Sequence, residues 1–310
     1  MIRGNTETEN LMDPIIMKIK LAATFPDVSN SHTRPNRKKL NRQNASKKQL
    51  FLLLLFVSSV VFSFGQSKEL ATQIYTVGVL HQGNKKFDHQ TIYKLLNQYN
   101  PDIILWEQDT DFKRVFGLQT AHFLKIAKVG IEQLALQKYT RKQKKVKIFG
   151  FDTAFASKKK YIKKRIKMDE LFFDSLNAIK MKPADSSMNA AYNNKINHYY
   201  NFIFDADLIR INKPDVIDMA RDLYGIKQAH ILSLGKKYIT DSALVNKFEE
   251  ELIFWEARNN YMVQQIQSFA KQFEGKRMMI LTGLNHKYYL VDKLTEQENS
   301  TITIKEIENH

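Results

Sequence analysis

The chain has 310 residues, no cysteine and a formal net charge of +16, with 43% hydrophobic and 11% aromatic residues. That length is enough for one domain with a core of its own. Without cysteine there is no disulfide framework, no thiol nucleophile and no zinc–thiolate site.

The first elements read as a leader. Residues 1–47 are rich in Asn, Ser, Thr, Pro and Lys, and residues 34–48 form a basic block. Residues 50–64 are apolar apart from serines and end in Ser63-Phe64-Gly65, with small residues at the two positions a signal peptidase inspects. A basic region, a short apolar core and a small-x-small site together describe a secretory signal peptide. The run is short against the roughly 20 residues that a membrane span requires. We therefore expect residues 1–65 to be a leader cleaved near Gly65. Residues 66–310 are then a single exported α/β domain of the periplasm or cell envelope. Ten of the 48 Lys and Arg and four of the 32 Asp and Glu fall in residues 1–65, so the remainder stays basic.

Residues 73–80 form a β-branched, apolar strand that stops at His81. A loop with Gly83 and Asn84 follows, then a helix with Ile92, Leu95, Leu96 and Tyr99 on one face. Asn100-Pro101 ends it, because the residue before proline is pushed out of the α region. Residues 102–106 make a second strand that stops at Glu107. Two strands joined by one helix should be parallel neighbours. Their carboxyl ends open on one crevice, which sets His81 beside Glu107.

A loop with Asp109 and Asp111, a helix over 118–139 and a third strand over 145–151, ending at Asp152, come next. From residue 157 to about 250 the pattern is helical, broken at Lys213-Pro214 and Gly225. This reads as a helical insertion capping the strand ends. A long helix over 241–273, capped by Thr240 or Asp241, carries the stripe Phe248, Leu252, Trp255, Met262, Ile266, Phe269 and Phe273. Asn259 falls on that stripe with Arg258 beside it, and a buried polar group there needs a partner. A fourth strand over 278–281 runs into Gly283-Leu284-Asn285-His286. A helix over 287–294 and a tail strand over 301–307 close the chain. The fold expected is α/β, a mostly parallel sheet flanked by helices.

Two Gly-x-x-His motifs end strands, Gly78 to His81 and Gly283 to His286, and Glu107 ends the strand expected between them. One such motif is weak, but two of the 8 histidines at matching positions point to a shared site. His81, Glu107 and His286 supply nitrogen and oxygen donors suited to a divalent ion, with Mn, Co, Fe and Zn not distinguished. Three protein ligands leave room for a water whose pKa the ion lowers. Asp109 or Asp152 could orient a ligand or take the proton of that water, and Asp152 reads as the more structural of the two. Arg258 either neutralises a developing oxyanion or holds Glu107 in a helix-to-sheet salt bridge.

His89 and Asp111 read as surface, and His122 and His198 have no evident partner. The basic stretches 141–147 and 158–167 are interrupted only by Tyr161, so a nucleic-acid partner is not expected. Solvated faces, or contact with anionic envelope lipid, are the readings left for them. The aromatic stretch 192–204 is core of the insertion or the lining of a substrate groove.

On Gly78-x-x-His81, Pro101-Asp102 leading to Glu107, Gly150-Phe151-Asp152, Arg258-Asn259-x-x-Met262 and Gly283-x-x-His286, the sequence resembles the Tiki/TraB/GumN family. Its relatives are the erythromycin esterases and the haem-binding ChaN-like proteins. The resemblance spans most of residues 73–294, though Val79 stands where Tiki-like members carry threonine. It implies an exported metal-dependent hydrolase, of peptidase or esterase type, acting on a peptide or small-molecule substrate. In that reading His81, Glu107 and His286 hold the metal, while Glu107, Arg258 and Asp109 serve catalysis. The alternative it carries is a haem- or ligand-binding protein without hydrolytic activity.

Overall fold

The structure is a computed structural model and describes residues 71–109, 130–153, 159–299 and 301–308. The expected leader, Asp111 and His122 lie outside them.

The sheet has five strands, all parallel, in the order β3-β2-β4-β1-β5. They are β1 (Thr72–Val79), β2 (Ile103–Asp109), β3 (Lys147–Asp152), β4 (Arg277–Gly283) and β5 (Ile302–Lys305). The α/β class is as expected, but the neighbour relation is not. β1 and β2 are parallel without touching, because β4 lies between them. Its residues Met278, Met279, Ile280 and Leu281 are 0% exposed, and a strand apolar on both faces belongs at the centre of a parallel sheet.

Alternation then divides the core. Ile74, Ile103, Leu105, Met278 and Ile280 pack with Met262, Ile266 and Leu290 on one face. Val77, Val79, Ile104, Trp106, Met279 and Leu281 pack with Ile92, Leu96 and Leu136 on the other. Each such buried aliphatic side chain is worth about 1.5–3 kcal/mol.

The flanking helices follow local rules. In α1 (His89–Tyr99), Asp88 and Thr91 form a capping box. Its C-cap, Asn100, takes the left-handed conformation at φ 43°, which asparagine tolerates before Pro101 ends the helix. α2 is Ile131–Lys142, so the expected helix over 118–139 is described only in its last part.

The insertion is helical as expected. It comprises α3 (Lys159–Ala178), α4 (Pro183–Asp205), a 3₁₀ turn (Arg210–Asn212), α5 (Pro214–Ile226) and α6 (Leu232–Tyr238). Pro214 starts α5, but Gly225 breaks nothing. A π-turn over Lys227–Ile231 carries the helix through to α6. α7 (Ser242–Gln272) is capped by the Asp241 carboxylate, which accepts from Leu244 N at 3.1 Å. α8 (Leu284–Thr295) leaves directly from β4. Among the described residues no helix is long and apolar enough to cross a membrane.

Candidate functional site

The carboxyl end of β4 is the meeting point. Gly283 pairs with Val79 of β1, and Leu281 with Trp106 of β2. A Cβ placed on Gly283 would lie 3.1 Å from His81 Nε2, 3.3 Å from Glu107 Oε2 and 3.6 Å from His286 Cδ2. The three residues expected from sequence therefore converge, around β4 rather than around β2.

A bulge aims Glu107 there. Trp106 pairs with Gly150, but the next pair is Asp109 with Asp152, so β2 carries one residue more than β3. Bulges of this kind redirect a side chain. Gly150 makes it feasible, since a Cβ at that position would sit 2.1 Å from the Asp109 carbonyl oxygen.

Beneath the meeting point lies a buried cluster centred on Arg258. Its Nε donates to Asp152 Oδ1 at 2.9 Å, and Nη2 donates to Asp152 Oδ2 at 2.7 Å and to Glu107 Oε1 at 2.8 Å. Nη1 donates to His286 Nε2 at 2.9 Å. Glu107 Oε2 accepts from Thr282 Oγ1 at 2.8 Å and from Gly283 N at 2.5 Å. His286 Nδ1–H donates to Asn259 Oδ1 at 2.6 Å, so the polar residue on the apolar stripe of α7 has its partner. Trp255, one turn earlier, stacks on the His286 ring at 4.1 Å and in turn stacks on Tyr224.

The charges follow from this packing. Burial opposes ionisation of Glu107. The charges of His81 and Arg258, the imidazolium that His286 carries in strong acid, and the Gly283 N–H outweigh it and hold the carboxyl at about 2. Burial dominates at His286 and pushes it down to about 3, so it is neutral under ordinary conditions.

His81 stands apart from this cluster. Its side chain is 55% exposed, and its Nδ1 bonds the carboxylate of Glu132, which is buried in the first turn of α2. Partial desolvation of the ring by the groups packed around it works against the charged imidazole. The Glu132 hydrogen bond and the charges of Glu132 and Glu107 outweigh it and raise the pKa to about 9. Glu132 is a residue of this site that sequence reasoning missed. Nothing in the spacing of α2 separates it from the other charged residues of that helix, and a signal would have needed knowledge of which helix packs on the His81 loop. Lys287 was missed as well. It is buried, donates to Asn212 O and Oδ1, and is lowered to about 7 by burial.

Of the remaining expectations, Asp152 supplies the second carboxylate of the cluster. Asp109 lies across the ladder from Asp152, at the far side of the bulge. His89 is half-buried at the start of α1 and bonds Gln90, and His198 is exposed on α4. The described lysines of 141–147 and 163–167 are exposed. Tyr192 and Tyr199 are core of the insertion, whereas Tyr200 and Phe204 are 37% and 56% exposed.

As a metal donor set the arrangement does not fit. Both ring nitrogens of His286 are engaged, Nε2 by a guanidinium N–H, and a fixed cation already compensates Glu107. Among the described residues no group of three His, Asp or Glu is poised around one ion position.

No protein family and no curated protein matches the chain, so Tiki/TraB/GumN membership stays a resemblance of motifs. Among solved structures, an erythromycin esterase mutant in its open conformation is similar over 79% of this chain and 72% of its own. The identity is 13% and the TM-score 0.32. A likeness of that size carries no functional argument.

Proposed function

We propose that the chain is a hydrolase of ester or amide bonds, with His81 as its general base and acid and Glu132 orienting it. The observation that carries this reading is the two-sided placement of one imidazole. Nδ1 is bound to a buried carboxylate, while Nε2 is turned towards the Gly283 meeting point in an accessible side chain. A carboxylate on Nδ1–H fixes the tautomer in which Nε2 takes a proton. Water would give that proton to Nε2 as its oxygen attacks the substrate carbonyl. The same Nε2–H would then return the proton to the leaving oxygen or nitrogen. Arg258, Glu107, Asp152 and His286 keep the floor of the site fixed and fully hydrogen-bonded. No step is routed through a metal ion.

Because Glu132 and Glu107 hold His81 at about 9, its basic form grows in with rising pH. Hydrolysis of a simple probe such as p-nitrophenyl acetate is therefore expected to rise through about pH 9. Glu132→Gln should move that midpoint down towards the ordinary 6.5, and His81→Gln should cost roughly 10²–10⁴-fold in kcat. A rate indifferent to His81→Gln sinks the proposal. Metal content is checked on the same protein. One ion per chain, lost in His286→Ala, would replace this reading with the metal-dependent one, and a Soret band would favour the haem-binding alternative.

A further inference from the structure

The loop that carries His81 is fastened at three residues before the histidine and at three residues after it. To α2 the loop is joined directly, by Ile131 N–H donating to His81 O at 3.2 Å; the other two fastenings are asparagine side chains, and both lead to one short stretch of the insertion.

At Gly78 the partner is Asn212, the last residue of the 3₁₀ turn. Its Oδ1 accepts from Gly78 N at 2.7 Å, and its Nδ2 donates to Gly78 O at 2.8 Å and to Leu208 O at 2.7 Å. A side-chain amide pairing with both backbone groups of one residue acts as a missing strand would. β5 pairs with β1 only over Thr72 to Tyr75, so among the described residues the outer edge of β1 at Gly78 has no strand beside it. Lys287 Nζ donates to the same Oδ1 at 2.8 Å and holds the amide in place.

The second fastening is Asn84. Its Oδ1 accepts from Lys86 N at 2.8 Å and Phe87 N at 3.0 Å, which shapes the loop itself. Its Nδ2 donates to Ala206 O at 2.7 Å and Ile203 O at 3.2 Å, at the end of α4. The two halves of one carboxamide thus have different tasks. The oxygen folds the loop and the nitrogen ties it to the insertion.

We propose that residues 203–212 are a positioning strap, through which Asn84 and Asn212 hold the His81 loop at the distance from α2 that its contact with Glu132 requires. The insertion is thereby part of the machinery of the reaction and not only a cover. The inference rests on the His81 reading, but its test does not depend on catalysis.

Asn84→Asp separates the tasks, because it keeps the acceptors for Lys86 N and Phe87 N and removes the donors to Ala206 and Ile203. The wild-type chain should show a low-field proton resonance from the His81–Glu132 hydrogen bond, assigned by its loss in Glu132→Gln. In Asn84→Asp that resonance is expected to broaden or vanish while the melting temperature stays close to wild type. On p-nitrophenyl acetate, kcat should fall roughly tenfold to a hundredfold at little-changed KM, as misplacement of a catalytic group does. Asn212→Ala should lose the resonance too. It also strips buried partners from Gly78 and Lys287, so Asn84→Asp decides if that variant fails to fold. A sharp, unshifted resonance in folded Asn84→Asp overturns the strap. If the wild type shows the resonance but hydrolyses nothing, the hydrolase reading fails and the strap is still judged by the resonance.

Discussion

Arg258 is the residue on which the site's charge balance turns. It meets two carboxylates and one neutral imidazole inside the protein, where an uncompensated charge is costly. Glu107→Gln keeps the shape but removes half of that compensation, and thermal or denaturant unfolding should show a loss of about 3–5 kcal/mol. The pH dependence has a definite sign. The Glu107 pKa is about 2 in the folded chain against an ordinary 4.5, so its contribution is complete above about 4.5 and is lost as pH falls towards 2. Glu107→Gln should therefore flatten the stability curve in that window. A variant as stable as wild type, with the same acid limb, would show that Arg258 draws its compensation from Asp152 alone. At this scale much was legible in sequence. Asn259, out of place on an apolar stripe, announced a buried polar partner, and two Gly-x-x-His motifs pointed to one strand end, where His81 bonds Glu132 and His286 bonds Arg258 and Asn259. Glu132 left no trace, because its task is set by the packing of α2 on a loop and not by spacing along the chain.

Elements place these residues more tightly than the motifs suggest. Gly283 ends β4 and starts α8, and the space a side chain would take there is the space into which His81, Glu107 and His286 converge. Gly283→Ala should cost little stability, since its φ of −56° suits any residue and the clash is with side chains. It should nonetheless depress hydrolysis of the probe by roughly tenfold or more by pushing His81 Nε2 aside. Full activity in Gly283→Ala would mean that the reaction does not use this point. The order of the strands is where pattern reading failed. A strand–helix–strand stretch is compatible both with adjacent strands and with a gap of one, and nothing between residues 73 and 109 states which. What distinguishes them is the unbroken apolar run of β4, legible as a strand but readable as the centre of the sheet only once its neighbours are known. The bulge in β2 is equally local. Gly150 marks it in retrospect, since it alone lets the Asp109 carbonyl approach so closely.

For the whole molecule, the gap between β1 and β2 orders events in time. Both neighbours of β1, namely β4 and β5, lie beyond residue 276, so the first strand made is among the last to be paired. Val79 and Arg277 are 198 positions apart (277 − 79). At about 5–20 residues per second, a nascent chain would wait roughly 10–40 s between exposing the first edge and delivering the strand that fills it. Through that interval an apolar strand with both edges open is a template for pairing with other chains. Contacts at such separation are also slow to form from the unfolded state. Pulse-labelling hydrogen exchange during refolding should therefore find the amides of β1 protected in the same phase as those of β4, with α1 and the helices of the insertion protected earlier. Protection of Val77 well ahead of Ile280 would refute this order. The site at the end of the first strand thus lacks Arg258, Gly283 and His286 until the last quarter of the chain arrives, and a chaperone that shields residues 72–79 would be guarding it before it is complete.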